Sequence, residues 1–289
     1  MIGIICDTGS NLPELILKRY QIRRVPLRII LGKTEYRDDG VEITEDQLLN
    51  YMQTSMPKTT LPSYDDIHGC FEEMIGEGYD EILVINLASV LSGTYNSFNL
   101  VSKKVMKEYP HVKVTVLDSQ TVSMGVGLLL YKAGSMIVEN PSISMEKLVE
   151  TIKQTMSNQR VFFVVPTLKF LVAGGRIGRV LGTIGELLKV KPILTVAEDG
   201  SLHQLGKEMG LTKAVNHSIQ FTKDFIGTRQ VEAIAVYHSG KSEETLSHVE
   251  RVLKEFETYH IPEIFTGTIS STLLVHGGPG LVGIGIQLK

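Results

Sequence analysis

Three short segments, far apart in the chain, carry residue types that could hold an anion. They are Thr59-Thr60-Leu61-Pro62-Ser63, Leu91-Ser92-Gly93-Thr94-Tyr95 and His276-Gly277-Gly278-Pro279-Gly280. Each sets a hydroxyl or an imidazole beside a glycine, a proline or a helix start. Such places present backbone N–H groups to negative charge. Two alcohols, one imidazole and a helix N-terminus suit a carboxylate or phosphate head group, and binding one needs no acid–base pair.

Each segment also has an ordinary structural explanation. Ser92 follows the strand pattern Glu81–Asn86 and precedes the helical run Gly93–Glu108, so capping alone would account for it. The carboxyl end of a parallel strand is, however, where open α/β sheets bind ligands, and Gly93 has no side chain to obstruct a head group. Pro62 biases Leu61 toward extended backbone and Ser63 can cap the next helix, so the Thr59-Thr60 pair reads first as turn chemistry. His276 stands beside four residues that shape a tight, exposed backbone, which favours a site role over that of the other histidines. Gly278–Gly283 matches GxGxxG literally. A dinucleotide fingerprint is excluded because only Ile284–Lys289 follow, too few for a βαβ unit, and Pro279 removes a backbone donor.

The elements that would position these segments change character along the chain. Ile2–Cys6, Glu81–Asn86, Val112–Leu117 and Val161–Val165 are Ile/Val/Leu-rich runs that read as strands buried on both faces. Helix starts lie between them: Asn11 before Leu12-Pro13-Glu14, a capping box at Thr44–Gln47, Ser63 with Asp66, and Ser144 before Glu146-Lys147. Strand–helix alternation implies a mostly parallel, helix-covered sheet. In the second half, Lys189–Ala197 and Ser201–Gly206 flank the hairpin turn Glu198-Asp199-Gly200. Helical patterns at Thr212–Phe225 and Ser242–Tyr259 and strands at Val231–Tyr237, Ile264–Ile269 and Leu281–Leu288 complete an α+β pattern with a largely antiparallel sheet. The fold class expected is α/β with two domains, residues 1–159 and 160–289. The acidic cluster Asp38, Asp39, Glu42, Glu45 and Asp46 reads as a solvated loop rather than a docking site.

Composition narrows the function classes. Apolar residues make up 43% of the 289, enough to bury a sizeable core. The net charge of −3 argues against a nucleic-acid surface. Cys6 and Cys70 have no metal-ligand spacing, so neither a metal nor a disulfide framework is expected and a reducing compartment fits. The N-terminus reads as a strand rather than a signal peptide, and no run reaches the ~18 apolar residues of a membrane span, so a soluble cytoplasmic protein is expected.

Gly174-Gly175-Arg176-Ile177-Gly178-Arg179 is a further glycine cluster, but no Walker lysine pattern occurs, which disfavours NTP chemistry by this chain. Lys169, Arg176, Arg179, Lys189 and Lys191 interleave with Leu181, Ile184, Leu187, Leu188 and Val190. That pattern reads as an amphipathic helix covering a core; the alternative is a patch for a membrane surface or an anionic partner. Ser92, Asp118 and His276 raise a nucleophilic hydrolase. The elbow GxSxG is absent, and a triad needs a geometry that sequence does not specify.

The chain resembles the DegV family, which includes the fatty-acid-binding subunits of the bacterial fatty acid kinase system. The likeness is carried by Ile4–Thr8, Leu91–Tyr95, Asp118-Ser119, Leu168–Leu171 before Gly174–Gly178, Lys191–Leu194 before Asp199-Gly200, and His276–Gly280. It implies a two-domain fold with one long-chain fatty acid, such as palmitate, stearate or oleate, buried between the domains as ligand, with no cofactor. It also implies that Thr59, Ser92 and His276 hold the carboxylate, supported by Thr60, Gly93, Thr94 and Gly278. Arg176 would lie near the domain interface or a surface facing a partner. On this resemblance the protein is a carrier, not an enzyme. It would present its ligand to a fatty acid kinase for conversion to acyl phosphate, for phospholipid synthesis, with transient membrane contact. The alternatives are a lipid hydrolase or thioesterase using Ser92 and His276, and a lipid store or sensor without a kinase. Phe162, Phe163, Leu168, Phe170, Leu187, Leu188 and Ile193 are tunnel or core candidates that the sequence does not sort.

Overall fold

The computed structural model describes residues 1–178 and 190–289. Three of the apolar runs form β1 (Ile2–Asp7), β6 (Glu81–Asn86) and β7 (Lys113–Asp118). With β2 (Arg23–Val25) they make an all-parallel sheet in the order β2-β1-β6-β7. Alternate residues serve opposite faces. Ile5, Ile82 and Val84 pack beneath α3 (Tyr64–Gly76) and α4 (Thr94–Glu108), while Ile4, Cys6, Leu83 and Ile85 join the main core on the other side.

A six-stranded sheet is built from β8 (Gln159–Val164), β9 (Lys191–Val196), β10 (Leu202–Glu208), β11 (Val231–His238), β12 (Glu263–Thr268) and β13 (Val282–Leu288). Its order is β10-β9-β8-β13-β11-β12, antiparallel except for β11 with β12. One face packs on α8 (Leu211–Ile226) and α9 (Glu243–Phe256). The other face turns toward α5 (Met124–Glu139), which touches β1 and β6 as well as β8, β11 and β13. Leu128, Leu129 and Leu130 of α5 are all fully buried, as a helix between two sheets requires. The result is the expected two-domain α/β arrangement. One correction concerns Val161–Val165, grouped with the parallel strands by composition; it belongs to β8, antiparallel to β9 and β13. A continuous apolar run marks burial on both faces but not strand direction.

A third, three-stranded antiparallel sheet has no counterpart in the sequence reading. It contains β3 (Arg28–Leu31), β4 (Thr34–Arg37) and β5 (Lys58–Thr60). Its strands have three or four residues each, and apart from Ile29-Ile30-Leu31 of β3 they are mostly Arg, Lys, Glu and Thr, too short to carry a periodicity. Gly32, with φ of 63°, makes the two-residue turn between β3 and β4.

The remaining helices are α1 (Glu14–Arg19), α2 (Glu45–Met52), α6 (Met145–Ser157), α7 (Lys169–Ala173) and α10 (Ser271–Gly277). Thr44 and Gln47 form the capping box of α2, and Ser63 and Ser144 cap α3 and α6. Asn11 is no cap for α1, which starts after Pro13; it adopts left-handed backbone with φ of 53°. Its amide instead donates to Ser123 Oγ at 2.7 Å and accepts from the Ser270 N–H at 2.8 Å, joining the starts of α5 and α10. The acidic cluster is likewise no simple solvated loop. The buried Asp38 carboxylate accepts from the N–H groups of Ser271 and Thr272, both at 3.1 Å, and Glu45 accepts from Gly240 N–H at 2.8 Å. Arg179 to Lys189, including most of the amphipathic basic stretch, lie outside the described residues.

Candidate binding site

Thr59 lies in β5, paired with Ile29 of β3, and this hairpin sheet carries it to α10. Its Oγ1 is 2.8 Å from His276 Nε2, across 217 positions of sequence. Asp38, Asn11 and the Ser270 hydroxyl satisfy the first N–H groups of α10, which fixes the helix that bears His276 in its last turn. Gly278, with φ of 73°, ends that helix. Its carbonyl accepts from Ser239 Oγ at 2.6 Å.

Ser92 stands between β6 and α4. Its Oγ is 2.8 Å from Thr94 Oγ1 and accepts from the Thr94 N–H at 3.3 Å. Arg176 ties this loop to the histidine. Its Nε donates to Leu91 O at 3.1 Å and its Nη1 to Gly174 O at 2.6 Å. Gly174 is pressed against the imidazole, and a Cβ there would collide with His276 Nδ1. That nitrogen is buried and has no hydrogen-bond partner among the described residues. Burial, then the neighbouring Arg176 charge, pushes the His276 pKa down to about 4, so the ring is neutral near pH 7.

Thr59, Thr60, Ser92, Arg176 and His276 all border one cavity of about 390 Å³. That lies within the ~300–1,000 Å³ typical of small-molecule sites. The cavity continues inward between the sheets, walled by Leu27, Leu87, Met124, Val161, Phe163 and Leu202 among others. Its chemistry is that of an amphiphile site: hydroxyls, an imidazole and a guanidinium at one cluster, hydrocarbon beyond.

Several expected residues fall elsewhere. Gly93 precedes α4, Thr94 is buried and bonded to Ser92, and Gly278 packs on Phe170; none of the three borders the cavity. Phe163 lines it, whereas Phe162 and Ile193 face α8 on the far side of the sheet, and Leu168 and Phe170 belong to the core. Leu187 and Leu188 are outside the described residues. Ser123, Tyr237, Thr272, Gly283 and Gly285 border the cavity and were not singled out. The two glycines had a signal, since glycine at alternate strand positions marks a close approach on one face. The hydrolase constellation is not assembled. Asp118 accepts from Ser89 N–H and Gln120 N–H, both at 3.1 Å, and no hydrogen bond joins Ser92 to His276 among the described residues.

A two-domain α/β protein with an apolar cavity between its sheets and a polar cluster at one end is the class this geometry defines. The chain belongs to the DegV family: the model of that family, described as an uncharacterised protein, matches residues 1–289. A DegV domain-containing protein of Clostridium acetobutylicum is 33% identical over 288 residues, covering 100% of this chain and 99% of the relative. Among solved structures, a DegV family protein from Thermus thermophilus, described by its fatty acid binding, superposes with a TM-score of 0.88 at 28% identity. The match covers 100% of this chain and 99% of that one. A stearic-acid-binding protein from Eubacterium ventriosum gives a TM-score of 0.89 at 27% identity, with the same coverage. Among the described residues, no helix is long and apolar enough to cross a membrane.

Proposed function

We propose that this protein binds one long-chain fatty acid in the cavity and presents its carboxylate to a partner kinase for ATP-dependent phosphorylation to acyl phosphate. The observation that carries the binding step is the cavity itself, lined mostly by apolar side chains and bordered by Thr59, Ser92, Arg176 and His276. The described ligands of the Thermus and Eubacterium proteins support the same class of cargo. Burying a ~16-carbon chain at ~0.8 kcal/mol per CH₂ supplies ample gross affinity, leaving the polar groups to fix orientation. Thr59 and Ser92 offer hydroxyls, neutral His276 offers Nε2, and Arg176 supplies the positive charge that a carboxylate prefers. Presentation to a kinase rests on the family resemblance, and in this reading the protein contributes the acyl carboxylate while the kinase contributes the phosphoryl-transfer machinery.

Native mass spectrometry of the purified protein, followed by denaturation and identification of the released molecule, tests the binding step. The expected result is one fatty acid per chain. Protein that arrives empty and takes up neither palmitate nor oleate refutes it. The presentation step is tested by adding ATP, with and without a bacterial fatty acid kinase. Acyl phosphate formed by this protein alone contradicts the proposed division of labour.

A further inference from the structure

The sheet beneath the cavity carries one hydroxyl that head-group binding does not use. Across β8, β13 and β11, the register aligns Phe163, Gly283 and Tyr237 in one row and Val161, Gly285 and Ala235 in the next. All six border the cavity. Neighbouring strands lie about 4.8 Å apart and residues two apart share a face. The two glycines therefore leave a trough along the middle strand, with Phe163 and Val161 on one bank and Tyr237 and Ala235 on the other. The Tyr237 ring is seated on the next strand, where a Cβ at Gly267 would lie 3.1 Å from it. Tyr237 is only 5% exposed, and its phenol makes no hydrogen bond among the described residues. The phenol oxygen is not among the fully buried unpaired atoms, so it keeps accessible surface, and filling the space beside it with hydrocarbon would cost it its water partner.

We propose that Tyr237 is a second polar contact, set along the acyl chain rather than at its head, and that the cavity therefore favours fatty acids bearing a hydroxyl on the chain. This rests on the fatty-acid reading above. A chain hydroxyl can accept from the phenol or donate to it, and neither group carries charge. A second carboxylate would lack a counter-charge there, since the other five residues of the two rows are apolar or glycine. An unsubstituted chain fills the trough and leaves the phenol unpaired. Tyr237 also borders a surface cleft lined by Thr8, Asn11 and Thr268, so the competing partner for its hydroxyl is water from that side.

The test uses the delipidated full chain and its Tyr237→Phe variant, with affinities measured for stearate and for a positional series of monohydroxystearates. One isomer should bind the wild type about fivefold more tightly than stearate, the scale of one net hydrogen bond. In Tyr237→Phe that preference should vanish while stearate binds at least as well as before. If every isomer binds the wild type more weakly than stearate, as a wholly apolar cavity dictates, the inference is overturned. It is also overturned if the preference survives in Tyr237→Phe. Failure to bind any of these acids refutes the carrier reading itself and this inference with it.

Discussion

Two buried titratable groups pull the stability of this protein in opposite directions below neutral pH. His276 has its pKa pushed down to about 4 from 6.5 by burial and Arg176. The neutral ring therefore contributes stability that is complete above pH 6.5 and lost as pH falls through 4. Asp7 is fully buried, and desolvation pushes its pKa up from 3.8 to about 6 despite N–H donors from Asn86, Leu87 and Gly9. Its stabilising, protonated form is complete below pH 3.8 and is lost as pH rises through 6. The two slopes offset one another over much of this window. Urea titrations across pH 4–6.5 should show His276→Gln losing stability more steeply as pH rises, and Asp7→Asn gaining it more steeply; parallel curves for both variants would refute the assignment. Gly174→Ala should displace the imidazole and weaken fatty acid binding by at least about tenfold, ~1.4 kcal/mol, in calorimetric titration.

At the scale of elements, the proposed head-group site depends on α10 being held at both ends. Asp38, in the loop after β4, reaches across 233 positions to the Ser271 N–H and its neighbour at Thr272. A carboxylate there satisfies two backbone donors and suits the positive end of the helix dipole. Asp38→Ala should cost about 1–2 kcal/mol of stability, read by denaturant melts, with a parallel loss of acyl affinity. Unchanged affinity would mean that Asn11 and Ser270 suffice to place His276. The capping residues of α2, α3 and α6 were legible because a cap and its helix are sequence neighbours. Asp38 was not, because its partners lie in a distant segment and its own surroundings, Arg37-Asp38-Asp39-Gly40, resemble any polar turn.

For the whole molecule, the cavity exists because two sheets face each other and β13 puts glycine at two successive inward positions. A Cβ at Gly283 would meet nothing nearer than 3.6 Å, and Gly283 is not among the positive-φ residues. Gly283→Val should therefore fold, project into the cavity and exclude long acyl chains while short ones still bind. A chain-length series in a fluorescence displacement assay checks this, and undiminished stearate affinity would contradict it.

The sequence by itself determined three strands of the parallel sheet, most helix starts, the hairpin at Asp199-Gly200 and the three segments from which the proposed site is drawn. These are local properties, written in side-chain periodicity, caps and turn residues a few positions apart. Tertiary structure alone decided that Thr59 would meet His276, that Arg176 would bind both the Leu91 and Gly174 carbonyls, and that Asp118 would take the Ser89 and Gln120 N–H groups instead of the histidine. It also created the small sheet that carries Thr59, whose three- and four-residue strands become stable only when paired. Those contacts depend on how two sheets pack about one buried helix, and no spacing within a single segment encodes the distance between segments that the core brings together.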